Sequence, residues 1–204
     1  MSCDSELEPC LEHMRKQLQL TCPITDLAWN EMKKLFHLKR LSADEDFIQI
    51  GEYAQLIAFT VEGTLREYFI SSNGNEYNKH FVFANSITGS LYDLLSQQPS
   101  IAGIKTIKPT LLLCANYQQF TDLYDRHDCL QKMGRLQAES LLMRKAKREH
   151  DFLTLNATQR YLQLITNHND IENTVPQYHL ASYLAITPVA LSRIKKKTQN
   201  INPG

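Results

Sequence analysis

The residues with the most chemistry to offer crowd the end of the chain. From Thr187 onward there are four basic side chains, Arg193, Lys195, Lys196 and Lys197, and no acidic one. Carried on one face of a short helix, such a cluster can enter the major groove of DNA. The flanking residues supply that helix and a second one to brace it. Leu180, Ala181 and Leu184 fall on one helical face. Pro176 suits a first turn, where its missing N–H costs nothing. Ala185-Ile186 makes a corner, Thr187 is a good N-cap, and Pro188 takes the first helical position after it. Leu191 and Ile194 then point back at the first helix, which leaves Ser192, Arg193, Lys195 and Lys196 facing outward. The expectation is a helix-turn-helix over 175–197 with double-stranded DNA as its partner. The plainer alternative is a helical hairpin with a solvated lysine run. The small Ala181, the Thr187-Pro188 start and the basic outer face coincide at the spacing a DNA reader needs, and they favour the first reading.

Composition sets the frame for these elements. The 204 residues carry no net charge, but the balance is uneven. Residues 1–120 hold 10 Lys and Arg against 14 Asp and Glu, and residues 121–204 hold 12 against 8. A neutral whole with a basic end suits a two-part regulator better than a general polyanion binder. The N-terminus is acidic and lacks an apolar core of a signal peptide, and the longest apolar run is Leu111 to Ala115. A cytoplasmic protein without a membrane partner is expected. Five cysteines, Cys3, Cys10, Cys22, Cys114 and Cys129, have no C-x-x-C pair, which argues against a disulfide framework and a zinc site. No phosphate-binding, dinucleotide, zinc-protease or nucleophile-elbow motif occurs, and His80, His127 and His150 are scattered, so no enzyme is expected.

The pattern along the chain predicts an α+β protein. Leu7, Leu11, Met14 and Leu18, then Leu27, Met32, Leu35 and Phe36, recur at helical spacing, with a break at Cys22-Pro23 and a new start at Thr25-Asp26. Short strand-like runs follow, from Phe47 to Ile50, Leu56 to Val61, Thr64 to Ile70, Tyr77 to Phe83, Ile101 to Ile107 and Thr110 to Ala115. Turns are expected between them at Gly51-Glu52, Glu62-Gly63, Asn73-Gly74-Asn75 and Lys108-Pro109, and a short helix at Leu91–Ser96. The spacing suggests an antiparallel barrel or jelly roll. Residues 117–150 turn helical again. Cys129, Met133, Leu136, Ser140 and Met143, continued by Lys147 and His150, advance in steps of four and three. That heptad seam, with apolar residues on two faces, predicts packing on the roll and on a second copy, hence a homodimer. The resulting domains are 1–120, 121–150 as the dimerisation helix, and 151–204.

This order of elements resembles the Crp/Fnr family of bacterial transcription regulators over nearly the whole chain. Ile50-Gly51-Glu52-Tyr53-Ala54 is similar to the family's first glycine corner, Val61 to Arg66 to its second, Gly89-Ser90-Leu91 to its Gly-Glu-Leu, and Ala157 to Leu162 to the helix before its DNA-reading motif. The resemblance implies a cyclic-nucleotide-binding-like β-roll, a double-stranded β-helix or jelly roll, followed by a long dimerisation helix and a winged-helix-like helix-turn-helix. It implies DNA, a homodimer, RNA polymerase and a small-molecule effector as partners. In cyclic-AMP-binding members an arginine neutralises the phosphate and a glutamate holds the ribose. Here those positions are Ser100, followed by Ile101 and Ala102, and Ser90. A buried phosphate without a paired cation is strongly disfavoured. Lys105 lies nearby without a guanidinium's fork. Cyclic AMP is therefore not expected, nor is the family's iron–sulfur cluster, because Cys3, Cys10, Cys22 and Cys114 lack the close spacing clusters use. No cofactor is expected. In the reading helix only Arg193 matches the family's arginines, which makes it the candidate for guanine, while Ser192 can reach a base or phosphate and Lys195, Lys196 and Lys197 reach phosphate. The sequence runs only seven residues past Lys197, so an absent or minimal wing is expected. A ligand-binding or protein-interaction module with a vestigial helix-turn-helix is the rival reading.

Overall fold

The computed structural model describes residues 4–199. Helices α1 (Asp4–Gln19) and α2 (Asp26–Met32) come first, followed by a 3-10 turn at Lys33–Leu35. Thr25 starts α2 by accepting a hydrogen bond from the Ala28 N–H at 3.3 Å. Six strands follow: β1 (His37–Leu41), β2 (Asp46–Ile48), β3 (Leu56–Ile70), β4 (Glu76–Phe83), β5 (Ser86–Thr88) and β6 (Gly103–Asn116), with the short helix α3 (Leu91–Ser96) before the last. The remaining elements are helical: α4 (Tyr117–Thr121), α5 (Asp128–Thr154), α6 (Ala157–Asn167), α7 (Ile171–Thr174), α8 (Gln177–Tyr183) and α9 (Pro188–Gln199). The molecule is the α+β protein expected, an antiparallel β-roll flanked in sequence by helices.

Two compact units share the chain. One holds the residues up to Glu67 together with Phe81–Leu141, and the other holds Tyr68–His80 together with the residues from Leu142 on. The strands follow the order β1-β6-β3-β4, with β2 also on β6 and β5 on β3. β1 and β6 run antiparallel from His37 opposite Cys114 to Leu41 opposite Thr110. Leu11, Met14 and Leu18 of α1 enter one core with Trp29, Met32, Phe59, Leu113 and the α5 residues Leu130 and Met133. Their steps of three and four put one stripe of each helix inside. Leu27, expected on that stripe, is exposed instead, and its neighbours Ala28 and Trp29 take the interior. Gly134 lets Tyr124 lie against α5, since a Cβ there would come within 2.7 Å of its ring.

Two of the expected turns are absent. Glu62-Gly63 lies inside the 15-residue β3, and Lys108-Pro109 inside the 14-residue β6. The two breakers meet across the sheet. Gly63 has φ +100°, and a Cβ there would fall 2.7 Å from the Pro109 carbonyl and closer still to the Thr110 side chain. Proline in a strand belongs at an irregularity, and glycine belongs where another backbone comes close. Each residue therefore accommodates the other, and neither reverses the chain. The hairpin at Asn73-Gly74 forms as expected, with Gly74 N donating to Ser71 O at 2.9 Å and Gly74 at φ +82°.

The second unit has its own core of Tyr161, Leu164, Ile171, Val175, Leu180, Ala181, Leu184 and Leu191. A capping box starts α6, in which Asn156 Oδ1 accepts from Gln159 N and Gln159 Oε1 from Asn156 N, both at 3.0 Å. No described helix is long and apolar enough to cross a membrane.

The crowding at Gly63 yields a prediction. Gly51 also has a positive φ, +87°, but nothing lies within 4 Å of where its Cβ would be. Gly63→Ala combines backbone strain with a clash and should lower unfolding stability by about 3 kcal/mol, against about 1 kcal/mol for Gly51→Ala. Urea denaturation of the two variants measures the difference, and equal losses would contradict the close approach.

Candidate nucleic-acid interface

The helix-turn-helix is built from local signals. Pro176 stands as the N-cap of α8, one position earlier than its expected place in the first turn. Leu184 N donates to Leu180 O at 3.0 Å, and Ile186 N to Ala181 O at 3.0 Å, which closes α8 on a tight corner. Ala185 makes that corner at φ +54°. Few residues other than glycine accept this conformation, and alanine does so at a cost of about 1 kcal/mol. Thr187 then caps α9, its Oγ1 accepting from Ala190 N at 3.1 Å. Leu191 is fully buried and Ile194 half-buried, so the inner stripe of α9 is the one expected.

The outer face divides its expected residues into two groups. Arg193, Lys196 and Lys197 are exposed, as is Thr187. Ser192 is half-buried. Lys195 is half-buried and its Nζ lies 2.7 Å from Glu172 Oε1, which also accepts from Tyr161 OH at 3.1 Å. Lys195 is thus already engaged by α7, a partner that spacing along α9 does not reveal. Val189, early on the helix, is 62% exposed.

Several side chains that hold this motif were not singled out by the sequence. Arg148 of α5 donates to Tyr183 O at 3.0 Å and Asn78 O at 3.4 Å, and its guanidinium lies 3.9 Å from the Tyr183 ring centroid. Arg160 of α6 donates to Leu184 O at 3.1 Å and Leu155 O at 2.6 Å. The hairpin joins in the same unit: Ser182 Oγ accepts from Asn78 N at 2.9 Å, and Asn78 Nδ2 donates to His179 O at 3.0 Å. Arg160 stands in the Ala157–Leu162 stretch that carries the family resemblance. Arg148 reads in sequence only as one more charge on a basic helix.

In the β-roll the two halves of the expected phosphate cassette do come together. Gly89 adopts φ +147°, with Leu56 O 3.3 Å from where a Cβ would stand. Ser90 and Ser100 are buried, and their hydroxyls have no hydrogen-bond partner among the described residues. Ser100 is strapped to the first glycine corner by Gly51 N to Ser100 O and Ser100 N to Glu52 O, both 2.8 Å. Leu91 is half-buried, Ile101 exposed and Ala102 buried. Between the halves lies Asp93, 1% exposed, whose Oδ1 accepts from Ile101 N at 3.2 Å. Lys105, considered as a substitute cation, faces Asp44 at 3.6 Å and Asp46 at 3.8 Å. This part of the roll therefore holds a buried carboxylate, and the nearby Lys105 is directed at Asp44 and Asp46.

The seam of α5 also divides. Met133 is buried in the core of its own roll, Leu136 packs partly against that core, and Cys129 is half-buried beside Thr25. Ser140 is exposed, and Met143 is 71% exposed with Leu142 beside it. Among the cysteines, Cys10 and Cys22 lie in one core cluster and Cys114 in another, where burial pushes its thiol up to about 11. Cys3 lies outside the described residues, as does any wing beyond Gln199. Among the described residues no group of His, Cys, Asp and Glu is arranged to hold a metal ion. His127 Nε2 lies 3.3 Å from Glu31 Oε2, which Arg126 also engages at 2.6 Å, so that pair links α2 to the approach of α5.

No protein-family model matches the sequence, and neither does any curated protein. Solved structures do match. The c-di-GMP responsive global regulator CLP of Xanthomonas campestris superposes with a TM-score of 0.69 at 12% identity, covering 86% of this chain and 92% of its own. FixK2 of Bradyrhizobium japonicum gives 0.67 at 17% identity, with 81% and 85% covered. A CooA mutant from Carboxydothermus hydrogenoformans gives 0.65 at 15%, with 82% and 78% covered. At these identities the likeness is one of fold, extending over both the β-roll and the helical end. The chain has the fold of the Crp/Fnr regulators.

Proposed function

We propose that this chain is a homodimeric, sequence-specific DNA-binding transcription regulator of the Crp/Fnr type, acting in the cytoplasm and not responding to cyclic AMP. The observation that carries the reading is α9 itself. It is a threonine-capped helix, pinned through Leu191, that turns Arg193, Lys196 and Lys197 to solvent. A helix so held is rigid enough for its side chains to find base edges. Arg193 is the guanine reader, Ser192 a base or phosphate contact, and Lys196 and Lys197 phosphate contacts. Lys195 contributes mainly through Glu172. The vestigial-module reading draws on the exposed Val189 and the engaged Lys195, and predicts no binding to upstream DNA of the protein's own operon in a gel shift.

The role of each side chain separates in fluorescence anisotropy against cognate and random duplexes. Arg193→Ala should lose about 1–3 kcal/mol on the cognate site alone and relax preference at one base pair. Lys196→Ala should weaken both duplexes alike and reduce the salt slope by about 1. Uniform losses for both variants would contradict the assignment.

Dimerisation is proposed through the exposed part of the α5 seam, Ser140 and Met143, with Leu136 and Cys129 at its edge. Light scattering should give about 47 kDa, twice the 23.5 kDa chain. Met143→Glu places a charge in the seam without disturbing the core that Leu136 touches, and should give monomers. A wild-type monomer at micromolar concentration would overturn the proposal.

The cassette predicts the ligand response. Asp93 and the absent arginine together should hold cyclic AMP and cyclic GMP to dissociation constants above about 100 μM, or about −5.5 kcal/mol. Isothermal titration with each nucleotide measures this, and low-micromolar binding would show that backbone amides replace the missing cation.

A further inference from the structure

The second unit contains a cavity that DNA reading does not account for. Its volume is about 480 Å³, within the range of small-molecule sites. Four basic side chains line it, Arg144, Lys147, Arg148 and Arg160, against one carboxylate, Asp151. Asp151 is paired with Lys147 and with His150. The walls are not those of a solvated basic surface. The Phe152 ring has two guanidinium groups over it, Arg148 and Arg160, each 4.6 Å from its centroid, and Leu164 continues the apolar wall. Cations stacked on rings in this way keep their forks in fixed planes. Arg160 Nε is buried and has no hydrogen-bond partner among the described residues, a donor whose desolvation nothing offsets. His80 completes the wall. Burial first, then Arg144, Lys79, Arg148 and His168, push it from 6.5 down to about 4, so at neutral pH it is an uncharged hydrogen-bonding group in a positive field.

We infer that this cavity binds a small organic anion, one phosphate or carboxylate on a flat apolar body. The forked guanidinium groups suit either acid group, and Phe152 and Leu164 suit the flat body. Arg148 and Arg160 also hold the Tyr183 and Leu184 carbonyls at the end of α8. A bound anion competes with those carbonyls for the same donors, which couples the cavity to the helix-turn-helix. Only that coupling rests on the DNA-reading proposal.

The test is isothermal titration of the full chain with phenyl phosphate, benzoate and the uncharged benzyl alcohol. Phenyl phosphate, benzoate or both should bind once per chain, and benzyl alcohol should not. Arg144→Gln and Lys147→Gln, at exposed positions on α5, should each weaken binding by at least about fivefold, the loss of a charge-assisted hydrogen bond. Thermal melts check that both variants remain folded. No binding of either acid at about 10 mM, equal binding of the alcohol, or binding indifferent to both substitutions would overturn the inference. If the variants lose DNA affinity while neither acid binds, the cations serve the DNA backbone and the inference fails with DNA reading intact. If an acid binds but no duplex does, the site stands and the DNA proposal fails.

Discussion

A helix leaves its last carbonyls without partners in its own ladder, and the seven-residue α8 has little length over which to dilute that cost. Two arginines from other helices meet it. Arg148 reaches Tyr183 O and Arg160 reaches Leu184 O, which places a guanidinium on each of the two carbonyls at the corner. The corner itself is strained at Ala185, so it holds its angle only because its surroundings determine it. The buried Leu191 and the Thr187 cap then transmit that angle to α9. The direction in which Arg193 points therefore depends on two charges far from it in sequence.

Those arginines come at a cost in desolvation, which lowers the tendency of Arg148 to hold its proton. Aromatic faces and carbonyls, in place of carboxylates, offset part of that cost. One consequence is a positive cavity beside the end of α8. The β-roll shows the opposite arrangement. There the buried hydroxyls of Ser90 and Ser100 share the neighbourhood of α3 with a buried aspartate, Asp93, which accepts from Ile101 N. Positive charge thus gathers at the helical end of this chain.

Much of this was legible in the residues. Alternating apolar steps mark α1 and the buried side of α5, and the Asn73-Gly74 turn and the Thr187-Pro188 start rest on chemistry confined to neighbouring residues. Gly63 and Pro109 mislead because each reads alone as a chain reversal, whereas their meaning lies in meeting each other across two strands. β1, at His37–Leu41, hides because its register comes from β6, whose paired residues are Thr110–Cys114, far along the sequence. On α9, the exposure of Arg193 and Lys196 can be read from helical spacing. Lys195 cannot, since its exposure depends on Glu172 of α7. Arg148 and Arg160 escape notice for the same reason: a cation's role is set by what it faces, and sequence shows only its charge.

The central claim is that α9 reads base sequence from a two-fold protein. Selection of bound duplexes from a random DNA pool by the full chain, followed by sequencing, tests it most directly. The account predicts enrichment of a pseudo-palindrome whose half-sites lie about 10 base pairs apart, centre to centre, each with a conserved guanine. A pool that remains unenriched, or one enriched in a single asymmetric site, would contradict it.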